Sequence, residues 1–462
     1  MITNAEVESK ATQSNIHVAN VERDYVFGWL LAGIYGSSAL RDVLILKGGN
    51  GLRKTYFEHA RFSNDLDFST QSAVDPSVLA SELNRVCDYV QEASGIVFDK
   101  ERNRVSEKVS GDRERPIYEV RLYFKDFYGN PDAITISVRL DIKEFDRIYL
   151  PIQERHLIHP YSDVQECRAT IRCLKLEEML AAKLKCLLQR RYSFDLYDYV
   201  YAIFINRELE VNRGEIVSTF LKKTIFEPSP GVVAGLLLGL PFQVFRAAWS
   251  KYIVAPESSL ISFEAAVGQF KNNITELFGQ FSSVLGRGPF FPAELRNPIL
   301  EAGANLNLLA ITYEGIRREV EPYSLVFKRR QDGFGQEYLY VYDRTGGRSR
   351  GPSIKAFVHD KIDAIELLSE RFEPRFQVEL SKAGEYGDKT YFGRPFSPGG
   401  LLRTRATPRR PRAGGIVYVI ECTYCNKRFS RRIFGTRLRD HKDGYGNKCF
   451  GRMGYLVDQR YA

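Results

Sequence analysis

The sequence predicts an α+β protein in which a mixed helix–strand body is followed by a β-rich module and a small basic C-terminal module. Helix-type and strand-type hydrophobic patterns alternate in the first part of the chain. Two Gly/Pro-rich stretches, 286–292 and 393–415, then interrupt it. Of the 462 residues, 44% are hydrophobic and 27% are charged. This is enough apolar material for several cores, and it excludes a mainly disordered, fibrous or disulfide-stapled chain.

Four parts are predicted from these boundaries. The body changes near residue 160 from mixed helix and strand patterns to helical patterns alone. The middle module is rich in β-branched and aromatic residues. The predicted parts are 1–160, a mixed core; 161–285, a helical subdomain; 293–392, a β domain; and 416–462, a basic metal-binding module.

Within these parts, several elements are marked by their periodicity. Apolar residues recur at helical spacing in three segments and alternate or run continuously in three others. The predicted helices are 21–40, 49–56 and 174–191, and the predicted strands are 43–46, 134–142 and 337–342.

Charge is distributed unevenly along the chain. Residues 401–462 carry 15 Lys/Arg and 4 Asp/Glu, a net charge of +11, whereas the first 400 residues carry a net charge of −2. A basic appendage on a neutral body suggests a polyanionic partner, and a solvated tail that binds nothing is the alternative.

Nothing in the sequence indicates export or a membrane partner. The longest apolar stretch, 231–240, ends at Pro241 and is far shorter than the roughly 18 residues of a spanning helix. The N-terminus lacks a charged region followed by an apolar run. The seven cysteines are too few and too scattered for a secreted disulfide framework. We therefore expect a cytoplasmic protein.

A glycine pair marks a candidate anion site. Gly48 and Gly49 follow a predicted strand and precede a predicted helix, with Asn50 next in the chain. The backbone N–H groups at such a helix start are unpaired and lie at the positive end of the helix dipole. Since glycine has no Cβ, a phosphate group can approach closely.

Two aspartates follow in an alternating pattern. Asp65 and Asp67 flank Leu66 and precede Phe68, so an extended strand would place both carboxylates on one face and both apolar side chains in the core. The carboxylates would be about 7 Å apart along the strand, well placed to hold Mg²⁺ between them.

Asp141 repeats this pattern on a later strand, between Leu140 and Ile142. A carboxylate on a core-forming strand is costly unless a cation neutralises it. Two-metal phosphoryl transfer would account for three such acids. The alternative is that each acid is an ordinary edge charge or helix cap.

The helix at 174–191 carries Lys183 on its apolar face. A lysine facing inward requires an anion, or else extends its ammonium to solvent. Asp195 and Asp198, three residues apart on the next predicted helix, could hold Lys183 or a nucleotide, and a plain surface pair is the alternative.

This order of motifs resembles the polymerase-β-like nucleotidyltransferases, and more closely the AbiEii/AbiGii abortive-infection toxins of type IV toxin–antitoxin systems. Asn50 stands where that family usually has Thr or Ser, and Phe194 where it usually has Arg. The resemblance extends over about 15–205, and the stretches that carry it are 21–25, 46–52, 61–68, 177–188, Arg190 and 195–198.

The resemblance implies a phage-defence toxin that transfers NMP from an NTP to RNA, at a tRNA 3′ end, and that has a cognate antitoxin. It implies Mg²⁺ or Mn²⁺ as cofactor. In the resulting hypothesis Asp141 completes the metal site and helps deprotonate the acceptor hydroxyl, while Lys183 neutralises the triphosphate. The candidate catalytic residues are Asp65, Asp67, Asp141 and Lys183, the first three as Mg²⁺ ligands. The candidate nucleotide-binding residues are Lys47, Gly48, Gly49, Asn50, Arg61, Ser63, Asp195 and Asp198.

Residues 309–375 resemble a WYL domain, a small Sm-like β-barrel of bacterial regulators and defence proteins. Glu337 occupies the position of the Trp that gives those domains their name. The resemblance implies sensing of nucleic acid or nucleotides, and the alternative is a barrel retained for structure or dimerisation.

The last part contains a cysteine–histidine set with zinc-like spacing. Two cysteines separated by two residues are followed by a histidine and a third cysteine, namely Cys422, Cys425, His441 and Cys449. The first pair resembles a zinc-finger knuckle, and a module of this size has too little core to fold without help. The alternative is unlinked thiols with an incidental histidine.

Basic residues are interleaved with aromatic ones in the same module, as suits a nucleic-acid backbone and exposed bases. The candidate nucleic-acid contacts are Arg428, Arg431, Arg432 and Lys442. A simply solvated basic surface is the alternative.

Two functions follow. The first is an NTP-dependent nucleotidyltransferase toxin acting on RNA. The second is a nucleic-acid-binding WYL/zinc regulator whose transferase body is inert. The intact set of three aspartates and Lys183 favours the first.

Overall fold

The computed structural model describes most of the chain. The ranges that can be described are 1–108, 117–125, 135–144, 146–190, 192–206, 209–279, 288–329, 335–346, 351–385, 416–422, 425, 427–431, 435–442, 448–449, 451 and 453–461. The Gly/Pro-rich stretch at 393–415 and the predicted nucleic-acid contact Arg432 lie outside them.

The chain divides into two compact units. The first contains Met1–Gly288 and Pro292–Asn297, and the second contains Pro289–Phe291 and Pro298–Ala462. Among the described helices, none combines the length and the apolar character needed to cross a bilayer.

The first unit is a mixed α/β structure. Its helices are α1 (Asn4–Gln13), α2 (Val18–Ser37), α3 (Gly48–Thr55), α4 (Pro76–Ser94), α5 (Leu176–Gln189), α6 (Ser193–Val200), α7 (Arg213–Lys222), α8 (Pro230–Leu238), α9 (Phe242–Arg246), α10 (Trp249–Tyr252) and α11 (Phe263–Phe278). Its strands are β1 (Ile45–Lys47), β2 (Asp65–Ser69), β3 (Arg104–Lys108), β4 (Ile117–Lys125), β5 (Thr135–Lys143), β6 (Gln153–His156) and β7 (Thr170–Cys173).

These seven strands form one sheet in the order β3-β4-β5-β2-β1-β7-β6. The central strand β2 pairs antiparallel with β1 and parallel with β5. Leu66, Phe68, Leu140 and Ile142 on β2 and β5 are completely buried. The alternation predicted for both strands is therefore confirmed, and it directs the intervening acids to the opposite face.

The predicted helices 21–40, 49–56 and 174–191 correspond to α2, α3 and α5, and the predicted strands 43–46 and 134–142 to β1 and β5. The expectation of helical patterns alone in 161–285 is wrong at β7, because Ile171 and Cys173 alternate with more exposed residues and are completely buried in the sheet.

A buried ion network fixes α2 against α3. The carboxylate of Asp24 lies 2.7 Å from Arg53 Nε and 2.9 Å from Lys54 Nζ, and it accepts a hydrogen bond of 2.8 Å from the Tyr161 hydroxyl. Burial alone would raise the pKa of Asp24, but the two cations outweigh burial and hold it well below its ordinary value.

The second unit contains most of helix α12 (Ala293–Asn305) and a five-stranded antiparallel sheet in the order β11-β10-β9-β8-β12. The strands are β8 (Asn307–Tyr313), β9 (Ile316–Arg329), β10 (Gly335–Asp343), β11 (Ser353–Phe357) and β12 (Ile362–Arg371). The predicted strand 337–342 is confirmed as β10. The described residues of this sheet include no β11–β12 pairing, so closure into the predicted barrel stays a prediction. The WYL resemblance stays a prediction.

Glu337, which the WYL resemblance places at the position of the family's tryptophan, is completely buried on β10. Its backbone N–H donates to the Pro289 carbonyl at 2.8 Å, and its carboxylate accepts a hydrogen bond of 2.9 Å from the Phe291 N–H. Glu337 therefore anchors the segment at 289–291 within the second unit.

The C-terminal residues form two small sheets. The strands are β13 (Ile416–Cys422), β14 (Arg428–Arg431), β15 (His441–Lys442), β16 (Lys448–Cys449) and β17 (Gly454–Tyr461). One sheet has the order β14-β13-β17, and the other pairs β15 with β16.

We predict that Asp24→Asn destabilises the first unit by about 3–5 kcal/mol, because it leaves two buried cations without their counter-ion. Urea unfolding monitored by tryptophan fluorescence reports this unit alone, since both tryptophans, Trp29 and Trp249, belong to it. Because the folded-state pKa of Asp24 is lowered, its contribution is present above an unfolded pKa of about 3.9 and is lost as the pH falls below it.

The matched control is Asp88→Asn, which removes a carboxylate from an exposed ion pair with Lys100. It should change the stability by no more than about 1 kcal/mol. Equal effects of the two substitutions at neutral pH would contradict the assignment of the Asp24 network as a principal stabilising feature.

Candidate active site

Three aspartates converge on one face of the central sheet. Asp65 and Asp67 lie on β2, and Asp141 lies on β5 directly opposite Asp67 in the parallel register. One carboxylate oxygen from each lies within 4.8 Å of the others, and all three side chains are half-buried. The strand register thus brings the three acids together, although Asp65 and Asp141 are 76 residues apart in the sequence.

The electrostatics of the three acids differ. Burial and the neighbouring carboxylates of Asp65 and Asp141 raise the pKa of Asp67 to about 6. Burial would also raise the pKa of Asp65, but the Arg139 guanidinium in contact with it outweighs burial and lowers that pKa. Ionised acids held this close favour a bound cation.

Arg139 was not anticipated from the sequence. Its guanidinium contacts the carboxylate of Asp65, and its Nε lies 3.6 Å from Asp141 Oδ2. A usable signal was present, because Arg139 and Asp141 flank the buried Leu140 on β5 and therefore share a face.

The donor set fits a divalent cation such as Mg²⁺ or Mn²⁺. All three groups are carboxylates, which are the ligands these ions prefer. The half-buried position also leaves part of the coordination sphere accessible to a substrate oxygen.

The glycine pair lies directly beside the acids. Gly48 has φ +74°, and a Cβ atom placed there would lie 2.2 Å from Asp67 Oδ2. A Cβ atom on Gly49 would lie 2.8 Å from both Arg61 Nη2 and Ser63 Oγ. Lys47, the N-cap of α3, forms no side-chain capping bond, so no N-cap side chain covers the helix start.

Asn50 and Lys47, both predicted to bind the nucleotide, have partners within the protein. Asn50 is completely buried, and its Nδ2 donates to the Asp65 carbonyl at 2.6 Å. Lys47 Nζ lies 2.7 Å from Asp146 Oδ2, an oxygen that also accepts from Ser69 at 2.7 Å. Asn50 therefore fixes the start of β2, and Lys47 reaches a carboxylate absent from the sequence-based site.

The helical motif contributes a buried charge cluster, Arg61, Lys183, Arg190, Asp195 and Asp198. Lys183 Nζ lies 3.0 Å from Asp195 and 2.7 Å from Asp198. Arg61 binds both Asp198 oxygens, at 2.7 and 2.9 Å. Arg190 binds both Asp195 oxygens, at 3.0 and 3.1 Å.

The cations of this cluster differ in exposure. Arg61 and Lys183 are only 6% exposed, whereas the Arg190 side chain is 45% exposed. Burial alone would lower the pKa of Arg190. The carboxylate of Asp195 and, less strongly, that of Asp67 outweigh burial and raise this pKa. Arg190 is thus a partly exposed cation within electrostatic reach of Asp67.

Phe194 lies at the centre of these cations. The ring centroid is 4.9 Å from the Arg61 guanidinium, 5.7 Å from Lys183 Nζ and 5.6 Å from the Arg190 guanidinium. An aromatic face attracts cations, so Phe194 stabilises the cluster.

In the C-terminal module, the structure describes all four predicted zinc ligands but only two of the four predicted nucleic-acid contacts, Arg428 and Arg431. One ligand atom from each of the four cysteine and histidine residues lies within 4.8 Å of the others. Arg428 pairs with Glu421 at 2.8 Å, and Arg431 donates to the Arg437 carbonyl at 2.7 Å. Like Arg432, the Lys442 side chain lies outside the described part of the chain.

Comparison with known proteins accords with this geometry. Residues 29–264, half of the chain, match the family described as "Nucleotidyl transferase AbiEii toxin, Type IV TA system". The chain belongs to the AbiEii family. It is therefore a nucleotidyltransferase of a toxin–antitoxin family, as the resemblance implied, and the family match covers the three aspartates, the glycine pair and the charge cluster.

Among solved structures, the chain is similar to MenT4, a nucleotidyltransferase toxin from Mycobacterium tuberculosis H37Rv. The identity is 18% and the TM-score 0.37, over 60% of this chain and 90% of that one. No curated protein sequence matches the chain significantly.

We predict that Gly48→Ala reduces nucleotidyl transfer by about 100-fold, because the new Cβ displaces Asp67 and the backbone has a positive φ. The rate is measured with a radiolabelled NTP and an RNA pool. Gly268→Ala in α11 is the matched control, since a Cβ there meets nothing within 4 Å. Wild-type activity of the Gly48→Ala protein would contradict the close packing of Gly48 against the site.

Proposed function

We propose that the protein is a divalent-metal-dependent toxin that transfers NMP from an NTP to RNA, at the 3′ end of a tRNA. The proposal is carried by one observation: three carboxylates converge within 4.8 Å beside an α3 start that no N-cap side chain covers. Phosphoryl transfer requires cations bridging the phosphates and donors that neutralise the developing charge, and this arrangement supplies positions for both.

Asp65, Asp67 and Asp141 would hold Mg²⁺ or Mn²⁺. When bound, the cation stabilises negative charge on the reacting phosphate. Asp141 accepts the proton of the acceptor hydroxyl. The acceptor oxygen forms a bond to the α-phosphorus, the bond from that phosphorus to the β-phosphate oxygen breaks, and pyrophosphate leaves.

The triphosphate is bound by the α3 N-terminus and by Arg190. Gly48 and Gly49 allow close approach to the backbone N–H groups. Arg190 supports this role because its guanidinium is partly exposed and interacts electrostatically with Asp67. Arg61 also contributes positive charge to this region. The Ser63 hydroxyl donates a hydrogen bond of 3.2 Å to Asp65 Oδ1.

Lys183 acts mainly as a positioning residue in this scheme. Its ammonium is engaged by Asp195 and Asp198 at hydrogen-bond distance. By holding both carboxylates it fixes Arg61 and Arg190, which bind those same groups. Lys183 therefore affects the triphosphate indirectly, by positioning Arg190 through the shared carboxylate of Asp195.

RNA and an antitoxin are the proposed partners. A body of nearly neutral charge joined to a tail with a net charge of +11 supports recruitment of a polyanion by the C-terminal part. Membership of a type IV toxin–antitoxin family supports a cognate antitoxin and a role in phage defence.

Asp67→Asn should reduce transfer from an NTP labelled at the α-phosphate to RNA by about 1,000-fold, since it removes a ligand from the metal site. A chelator should abolish wild-type transfer, and added Mg²⁺ or Mn²⁺ should restore it. Asp88→Asn, at an exposed ion pair, is the control and should retain full activity.

Background labelling by both wild type and Asp67→Asn would favour the alternative, a nucleic-acid-binding regulator with an inert transferase body. Equal labelling above background would refute the proposed role of Asp67 in the metal site. Periodate oxidation of the terminal ribose tests the acceptor, because it removes the 3′ hydroxyl. Undiminished labelling of oxidised tRNA would refute transfer to the 3′ end while leaving the transferase assignment intact.

Substitutions of Arg190 and Lys183 should differ in their effects on the KM for the NTP and on the stability of the first unit. Arg190→Gln should raise the KM for the NTP about tenfold, the worth of one charge-assisted hydrogen bond, with little change in stability. Lys183→Met should lower the stability of the first unit by about 3–5 kcal/mol, because it removes the buried ammonium that contacts both buried carboxylates. Arg190→Lys is the conservative control and should recover part of the affinity. The opposite pattern would return the triphosphate contact to Lys183.

A further inference from the structure

We propose that the C-terminal module binds one Zn²⁺ ion and that this ion, more than its apolar core, holds residues 416–461 in their fold. The ligands are Cys422, Cys425, His441 and Cys449. This site is chemically independent of the aspartate site, so the proposal does not depend on the transferase mechanism.

The distances between ligand atoms match a tetrahedral zinc site. Cys422 Sγ lies 3.8 Å from Cys449 Sγ, and Cys425 Sγ lies 3.4 Å from His441 Nε2. With Zn–S of about 2.3 Å and Zn–N of about 2.0–2.1 Å, a regular tetrahedron has S–S edges of about 3.8 Å and S–N edges of about 3.6 Å. Both observed distances are close to these edges.

The surrounding hydrogen bonds orient the ligands. His441 Nδ1 lies 2.9 Å from the Arg439 carbonyl oxygen, which can only accept. The ring proton is therefore on Nδ1, and the lone pair of Nε2 is directed toward Cys425. The Gly451 N–H donates to Cys449 Sγ at 3.3 Å, a bond that stabilises a thiolate.

A disulfide does not explain the cluster. The chain's seven cysteines all lie among the described residues, and each is a free thiol. The Cys422–Cys449 sulfur separation of 3.8 Å is far beyond the covalent length of about 2.05 Å. Thiolate and imidazole ligands select zinc, whereas the carboxylates of the first unit select Mg²⁺ or Mn²⁺.

The topology explains why the ion would stabilise the fold. Cys422 ends β13 in the three-stranded sheet, whereas His441 and Cys449 face each other across the β15–β16 pair. One ion would therefore cross-link the two sheets. Among the described residues of this module, the buried core around it consists of Tyr418, Ile420 and Leu438 besides two of the ligands, with Phe429 partly buried against it. So small a core leaves much of the stability to the metal.

The test is the metal content of the full-length protein, purified without chelator and measured by elemental mass spectrometry. We expect about one zinc per chain, the stoichiometry of a single four-ligand site. Reconstitution with Co²⁺ should give the intense visible absorption of a tetrahedral thiolate complex. Cys425→Ser and His441→Ala should reduce the zinc content to background.

Two variants distinguish ligation from general effects. His441→Cys creates a four-cysteine set and should retain zinc, because such sets also bind it tetrahedrally. Cys186→Ser, a cysteine on α5 in the first unit, should also retain it. In limited proteolysis, chelation should expose the region 416–461 to cleavage while the region 29–264 stays intact.

Three results would overturn the proposal: background zinc in the wild type, zinc content unchanged by Cys425→Ser, or a disulfide among the three cysteines after alkylation without reductant. None of these results would alter the labelling assay of the Asp67→Asn protein. Failure of the zinc site is therefore distinguishable from failure of the proposed transferase function.

Discussion

The close approach of three carboxylates on one sheet face is the constraint on which the site depends. Asp67 and Asp141 are opposite each other on parallel strands, and Asp65 is two residues away. Burial and the repulsion from the other two carboxylates raise the pKa of Asp67 to about 6. The acids stay close together despite this repulsion, because the buried residues between them fix both strands. Arg139 and, in the proposed function, a divalent cation offset that repulsion.

A second, cationic set complements the acids. The cluster formed by Arg61, Lys183 and Arg190 with Asp195 and Asp198 has three positive and two negative charges. The excess positive charge belongs with the partly exposed Arg190, whereas the buried members neutralise one another. The buried residues therefore maintain the structure of the cluster, whereas the partly exposed Arg190 is the cation available to a ligand.

The sequence predicted the parts of the site that follow from local patterning. Alternation around Asp65, Asp67 and Asp141 was enough to assign strand faces, and glycine at Gly48 was enough to indicate close approach. The partners of Asn50 and Lys47 were not predictable in this way, because Asp146 and the Asp65 carbonyl meet them only through strand register. For the same reason the strand order of the second unit and the buried setting of Glu337 required the three-dimensional structure.

Phe194 has a consequence for how this chain can diverge. Its ring occupies the space between three cations. Replacing Phe194 with arginine would place a fourth cation, and a third guanidinium, beside only two carboxylates. Such a substitution would add positive charge to a cluster that already has one excess cation, so we expect it to be tolerated only with the loss of a neighbouring basic side chain. The aromatic residue and its basic neighbours are therefore expected to evolve as one unit.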